Sequence, residues 1–456
     1  MAGIGFELRK LANTDSFWKF LRSQLYAGIL SNGAWIISIG ILIAIYFVVN
    51  HFLGPKLFAV QFLVAVTYLV ASSLIVSGIF QHSLNRFISD RIFEKKYQLI
   101  RPNFIAAILY LSAASTVIGY LSAEFLLFDQ PLAVKLLMAS SFVLLNIIWV
   151  FSNAFAGLKK YRFLLFSFFL GYVTTFLLAV YLYQYELSGL LFSFYIGQVI
   201  LAICLFIFML KTYPSNYLFS RRFLHFMKLN PALVYSGFFF YLGLWIDKLS
   251  FWFSDNTSTL TLGALRASPL YDMPVFISFL LMIPGISTFF YEVEANFSRY
   301  FHRYYDAIRE GATLEELNKK HAELVVMARN CILNTLKIQG GITLFAILLA
   351  PEILALLKLA PIYVYLLRIT TVAAFLLVLL IAQLNLFFYL DMARNALYLT
   401  IIFFFLNFAL TYLTLYLGPL YFGYGFAMSL LFTNLIAVIS LRESFRKLSY
   451  YSFMSN

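Results

Sequence analysis

The chain has 456 residues, of which 62% are hydrophobic and only 12% charged, with a mean hydropathy of +0.86 and a formal net charge of +13. A soluble domain carries about 25% charged residues, and 52 Phe are more than one aqueous core could bury, so the bilayer is the solvent that makes this composition stable. Two cysteines, Cys204 and Cys331, in or beside apolar runs exclude a disulfide framework and a cysteine metal cage.

The opening segment 1–24 is charged and lacks a signal-peptide h-region with a cleavage site. It reads as a cytoplasmic lead-in. A membrane span needs about 20 mostly apolar residues. Six such runs follow within 25–210, at 25–49, 57–82, 103–125, 132–157, 163–184 and 187–210. A basic linker at 211–230 precedes six more within 231–441, at 231–254, 271–291, 332–355, 362–389, 395–417 and 422–441. A tail, 442–456, ends the chain. The fold class expected is an all-α polytopic membrane protein with about twelve transmembrane helices in two six-helix lobes. Paired bundles of this kind commonly form transporters.

Basic residues sort to one side. They are Arg9, Lys10, Lys19 and Arg22 before the first span, Arg86, Arg91, Lys95, Lys96 and Arg101 after the second, and Lys159, Lys160 and Arg162 after the fourth. Lys211, Arg221, Arg222 and Lys228 lie in the linker, and Arg299, Arg303, Arg309, Lys319, Lys320 and Arg329 in the longest loop. Arg394, Arg442, Arg446 and Lys447 bring the side to 26 of the 33 Lys and Arg, against Lys56, Lys135, Arg266 and Lys358 opposite. The positive-inside rule then places both termini in the cytoplasm. This bias accounts for the net charge, and no nucleic-acid partner is implied.

The longest loop, 292–330, is charged and helical in pattern. Phe297, Tyr300, Phe301, Tyr304, Tyr305 and Ile308 share one helical face. Gly311 breaks the run, and Thr313 followed by Glu316 reads as a capping box for a second helix with Leu314, Leu317, Leu324 and Val325 on its apolar face. One reading is a hairpin lying on the bilayer or on neighbouring loops. The other is a docking surface for a cytoplasmic partner through Glu292, Glu294, Phe297, Tyr300, Tyr304 and Tyr305.

Ionisable residues in spans are functional candidates because they are costly in hydrocarbon. Asp247 and Lys248 in GLWIDKLSFWF and Arg368 in YLLRITTV sit at similar depth in spans seven and ten. They are read either as an ion pair, Asp247 with Arg368 or Lys248, or as lining for a substrate path. Asp272 opens span eight, where a carboxylate caps the helix, and Tyr271 beside it joins the candidate path. Gln81, His82 and Asn85 read as the solvated end of span two, and Asn146 and Asn153 as helix–helix hydrogen-bonding groups. The sequence has no phosphate loop, HExxH, nucleophile elbow or Cys/His cluster. Neither a cofactor, a metal nor a catalytic role is expected, and an ATP-driven pump would need its ATPase from another subunit.

Several stretches carry a family resemblance. They are the opening MAGIGFELRK, SFWFSDNTS at Ser250–Ser258, the string from ASPLYDMPVF through IPGISTFFYEVE to YYDAIREGATLEEL over Ala267–Leu317, and LGPLYFGYGFA at Leu417–Ala427. The chain resembles the PelG family, exporters of the Pel exopolysaccharide system within the multidrug/oligosaccharidyl-lipid/polysaccharide superfamily. The resemblance implies two six-helix lobes around a central cavity, alternating access, and a hexosamine-rich polysaccharide substrate. It also implies a bacterial inner-membrane synthase complex, with a cytoplasmic glycosyltransferase and membrane subunits that include a cyclic-di-GMP receptor. No substrate-binding residues come with it.

Three rival functions leave different marks. A flippase for lipid-linked oligosaccharides would share the fold and want a lateral gate and a basic lumen. A cation-coupled exporter of small molecules wants a carboxylate at mid-span in the first lobe, and spans one to six have none. An integral-membrane glycosyltransferase or acyltransferase wants a paired acid or His at a membrane face, where only His82 is available.

Overall fold

A computed structural model describes residues 17–53 and 57–450. Arg9, Lys10, Lys56 and the end of the tail, 451–456, lie outside the described residues. In lipid every backbone N–H and C=O must be satisfied within the segment, so the apolar runs form helices. Eleven helical runs among the described residues are long and apolar enough to cross a membrane. One of these, Tyr161–Thr212, has 52 residues and breaks at the 3-10 turn Tyr183–Tyr185 into two helices, which makes twelve passes.

Two compact units result, one of Gly33–Ser268 and the other of Met1–Asn32 with Pro269–Asn456. The division falls inside the first helix, α1 (Phe17–Leu53), and after the seventh span rather than at the linker 211–230.

The Gly33–Ser268 unit contains the later part of α1, then α2 (Leu57–Phe93), α3 (Ile100–Leu126), α4 (Leu132–Gly157), α5 (Tyr161–Leu182) and α6 (Glu186–Thr212). The linker supplies a short α7 (Arg222–Leu229), and the seventh span is α8 (Pro231–Trp252). Helix α2 continues about 16 Å past residue 82 at 1.5 Å per residue, so Arg86 and Arg91 lie on it and not in a loop. Phe62, Phe104, Phe151, Phe155, Phe194 and Phe223 form a fully buried aromatic core. The outer faces are also apolar, with Phe47, Phe125 and Tyr181 exposed, as lipid-facing helices require. Helix α8 joins this unit because its Gly237 lies against the backbone of Gly78 on α2, where a Cβ on either would collide with the opposite chain. Its Trp252 stacks on Tyr68 with centroids 4.5 Å apart. The linker helix is anchored too: the Phe223 N–H donates to Asn103 Oδ1 at 2.9 Å, and the Phe223 ring meets Phe87.

After α8 comes an antiparallel hairpin, β1 (Thr259–Leu262) and β2 (Leu265–Ala267), which an all-helical expectation omits. Gln61 Nε2 donates to Thr261 O at 3.0 Å, Tyr68 Oη to Arg266 O at 2.8 Å, and the Ala264 N–H to Leu126 O at 2.7 Å.

The other unit runs through α9 (Pro269–Leu280), α10 (Ile283–Tyr291), a π turn (Glu292–Phe297) and α11 (Ser298–Arg309). It continues with α12 (Leu314–Leu348), α13 (Ala350–Leu356), α14 (Tyr363–Tyr389), α15 (Ala393–Leu417) and α16 (Tyr424–Arg446). The segment 292–330 is helical, and its two helices, α11 and α12, are continuous with the spans on either side. Its first half prolongs the eighth span, and its second half is the start of the single 35-residue helix that becomes the ninth. Thr313 caps that helix by accepting the Glu316 N–H at 3.3 Å, as the capping box requires.

Candidate functional site

In the Gly33–Ser268 unit one carboxamide joins three spans. Gln81 Oε1 accepts from Asn153 Nδ2 of α4 at 2.7 Å and from Tyr241 Oη of α8 at 2.9 Å, while Gln81 Nε2 donates to Ser77 Oγ at 2.9 Å. Asn85 Nδ2 donates in turn to Asn153 Oδ1. Near this network, Trp149 Nε1 donates to Ser73 Oγ at 2.9 Å. Gln81 is therefore a buried crossing point and not a solvated helix end, with about 18 Å of α2 still to come at 1.5 Å per residue. Asn146, by contrast, donates to Phe142 O of its own helix at 2.9 Å. Gln81→Leu is expected to strand the Asn153 amide and the Tyr241 hydroxyl, at about 1–3 kcal/mol for each unsatisfied group. Its thermal midpoint should fall further than that of Tyr241→Phe, and equal midpoints would show that the carboxamide does not join the helices.

Asp247 and Lys248 lie in the same unit and pair with each other. Lys248 Nζ is 3.1 Å from both carboxylate oxygens and 3.0 Å from Leu244 O, over the Trp245 ring at 5.6 Å. Asp247 is fully buried and Lys248 nearly so. Successive side chains on a helix diverge by about 100°, but the four-carbon lysine stem folds back far enough to close the pair. Arg368 has another role. It is exposed, in the other unit, and its Nε donates to Ile347 O at 3.1 Å, at the C-terminal end of α12. Cations are favourable there because the last helical carbonyls lack partners.

Asp272 stands in the first turn of α9, and Tyr271 beside it is fully buried. The proposed docking stripe is largely covered from within its own unit. Phe297 is fully buried against Tyr389 at 5.5 Å, and Tyr304 is buried beside His321 and within 3.4 Å of Ser449 Oγ. Tyr305 packs at a tilt against Phe301 with centroids 4.6 Å apart, Tyr300 lies beneath Arg303, and Glu294 is buried. What α11 leaves exposed is its charged face, with Arg299, His302, Arg303, Asp306 and Arg309.

The eighth span carries the most irregular backbone. Pro274 lies inside α9, the helix breaks at Leu281–Met282, and Pro284 opens α10. In an unbroken helix the Gly285 N–H would donate to Leu281 O. Here the Gln339 carboxamide of α12 stands between them, with Oε1 accepting from the Gly285 N–H and Nε2 donating to Leu281 O, both at 3.0 Å. Only glycine fits at 285, because a Cβ would run into the Gln339 side chain. Two turns on, the π turn brings Glu292 and Asn296 onto one face. Glu292 Oε2 accepts from Asn296 Nδ2 at 2.7 Å, and Oε1 from Asn334 Nδ2 of α12 at 2.8 Å. π turns are rare and recur at functional sites. Glu292 is thus a buried, doubly held carboxylate and not a solvated boundary residue. Sequence reasoning passed over Asn334 and Gln339, although Asn330 and Asn334 at i, i+4 on a membrane-entering helix are a readable signal. No group of three or more His, Cys, Asp or Glu suited to a metal occurs among the described residues.

Known proteins give a consistent picture. The fold is similar to a transporter of the MOP superfamily from Pyrococcus furiosus, described by a reverse polarity of its binding pocket, at 12% identity and TM-score 0.65, covering 93% of this chain and 96% of that one. It is similar also to an outward-facing multidrug resistance MATE transporter of the same superfamily, at 13% identity and TM-score 0.62, covering 93% and 96%. A MATE transporter in a bent conformation matches at 13% identity and TM-score 0.64, covering 98% and 99%. At these identities the likeness concerns the fold alone. A comparison with curated proteins gives no match. The model of the PelG family, described as "Putative exopolysaccharide Exporter (EPS-E)", matches residues 1–453. With nearly its whole length matched, this chain belongs to the PelG family of membrane exopolysaccharide exporters.

Proposed function

We propose that this chain moves a hexosamine-rich exopolysaccharide across the bacterial cytoplasmic membrane, by alternating access or as a conduit, without catalysing a reaction itself. The observation that carries the reading is the family match over residues 1–453. The chemistry of the spans supports it. Amides, hydroxyls and indoles, which suit a polyhydroxylated chain, bridge α2, α4 and α8, and the first six spans lack a mid-span carboxylate for cation coupling.

Deleting the chain is expected to abolish extracellular polymer and leave glycan inside the cell, and re-expression should restore export. Undiminished extracellular polymer would refute the transport reading. Accumulation of lipid-linked oligosaccharide on the inner leaflet would establish the flippase instead.

The partners in this reading are a cytoplasmic glycosyltransferase and membrane subunits that include a cyclic-di-GMP receptor. With the aromatic stripe turned inward, 292–330 offers them the charged face of α11 and the exposed start of α12, with Glu315, Glu316 and Lys319. Removing Glu294–Arg329 should end co-purification with the glycosyltransferase while the membrane passes still insert. The 26 basic residues on one side support a reading with both termini in the cytoplasm. Alkaline phosphatase fused after Asn456 should then be inactive, and an active fusion would reverse the topology.

A further inference from the structure

We infer that the pocket beside the π turn binds one acetamido-sugar residue of the glycan; this rests on the transport reading above. The pocket measures about 310 Å³ and is lined by Glu292, Asn296, Arg299, Tyr300, Asn330 and Asn334, with Ala295 and Met327 completing the wall. That volume lies at the small end of the roughly 300–1,000 Å³ typical of small-molecule sites, the size of a single ring and not of a peptide.

Its chemistry narrows the occupant. Glu292 is nearly buried, and each of its oxygens is fixed by one amide N–H. A carboxylate offers about four lone-pair positions, so acceptor capacity remains for hydroxyl or acetamido N–H groups of a ligand. Asn296 and Asn334 have each committed one N–H to Glu292, which orients their carbonyl oxygens and leaves each a second N–H. The pocket lining therefore offers both donors and acceptors. Arg299 balances the Glu292 charge, which disfavours a phosphate against the carboxylate and a free cation against the guanidinium. A neutral ligand dense in donors and acceptors fits this balance. Half-buried Tyr300 supplies an aromatic surface for the apolar face of a pyranose or for an acetyl methyl.

The site is assembled by two local features that packing alone does not require. The π turn places Glu292 and Asn296 together, and α12 brings Asn330 and Asn334 on one face opposite them. The pocket lies where the eighth and ninth spans run on into the basic segment 292–330.

The test is saturation-transfer NMR on the full chain in nanodiscs, with trimers of N-acetylgalactosamine, N-acetylglucosamine and glucose as probes. An acetamido trimer should show saturation of its acetyl methyl and the glucose trimer should not. Glu292→Gln and Asn334→Ala should each weaken binding at least tenfold. Gln81→Leu, outside the pocket, serves as a matched control for destabilised protein. Absence of saturation with both acetamido trimers would overturn the inference. So would saturation by glucose to the same extent, or affinity unchanged in both pocket variants. None of these outcomes touches the transport reading, which depends on polymer export by cells.

Discussion

Lys248→Met should deplete folded protein from the membrane severely. The substitution removes the ammonium 3.1 Å from both oxygens of a fully buried carboxylate. Breaking a buried pair from one side costs about 3–5 kcal/mol, because the buried carboxylate loses its opposite charge. The double variant Asp247→Asn, Lys248→Met should recover most of that loss, since replacing both ions of a buried pair is often close to neutral. Detergent-extracted yield and thermal midpoint read the effect. A single variant as stable as the parent would mean that Asp247 is held by other groups. The folded double variant also separates structure from transport: normal export would make the pair a local lock within α8, and lost export at normal yield would place it on the glycan path.

The second large effect is expected at Gln339. Gln339→Leu withdraws a donor from Leu281 O and an acceptor from the Gly285 N–H at once. Two backbone groups left unpaired away from water cost about 1–3 kcal/mol each. Gly285→Ala should be comparably damaging by forcing the Gln339 carboxamide out. Because both substitutions break the same interaction, the double variant should fall well short of the sum of the two. Strict additivity in thermal midpoints would show that the carboxamide does not stand in for the missing helical bond.

Hydropathy and the sorting of basic residues made the membrane passes readable, because both follow from transfer of side chains between water and lipid. The capping box at Thr313–Glu316 was readable for a similar reason: it is local. What pairs across long separations was not. Gln339 meets Gly285 across 54 residues and Gln81 meets Asn153 across 72, and no local pattern links them. Of the two partners open to Asp247, the structure takes Lys248 and not Arg368; the choice turns on a lysine stem that bends back along its helix, which side chains read as rigid spokes on a wheel do not show. The hairpin at 259–267 was missed although TLTL, a Gly263 turn and LRA carry its alternation, because a whole-chain reading as helix suppressed a short period-two signal. The seventh span left its sequence neighbours for α2 because two glycines, Gly78 and Gly237, allow the backbones to touch, a complementarity visible only in three dimensions.

Helix α12 runs without a break from Leu314 to Leu348. At 1.5 Å per residue, its cap at Thr313 stands about 37–39 Å from Gln339. Such a rod is a lever. Tilting the rod by 5° about its capped end would carry Gln339 through about 3 Å at the same rise per residue. That is comparable to the 3.0 Å hydrogen bonds by which it holds the broken eighth span. Any tilt of the rod is thus felt where a side chain of α12, and not the helix's own ladder, closes the backbone of the eighth span.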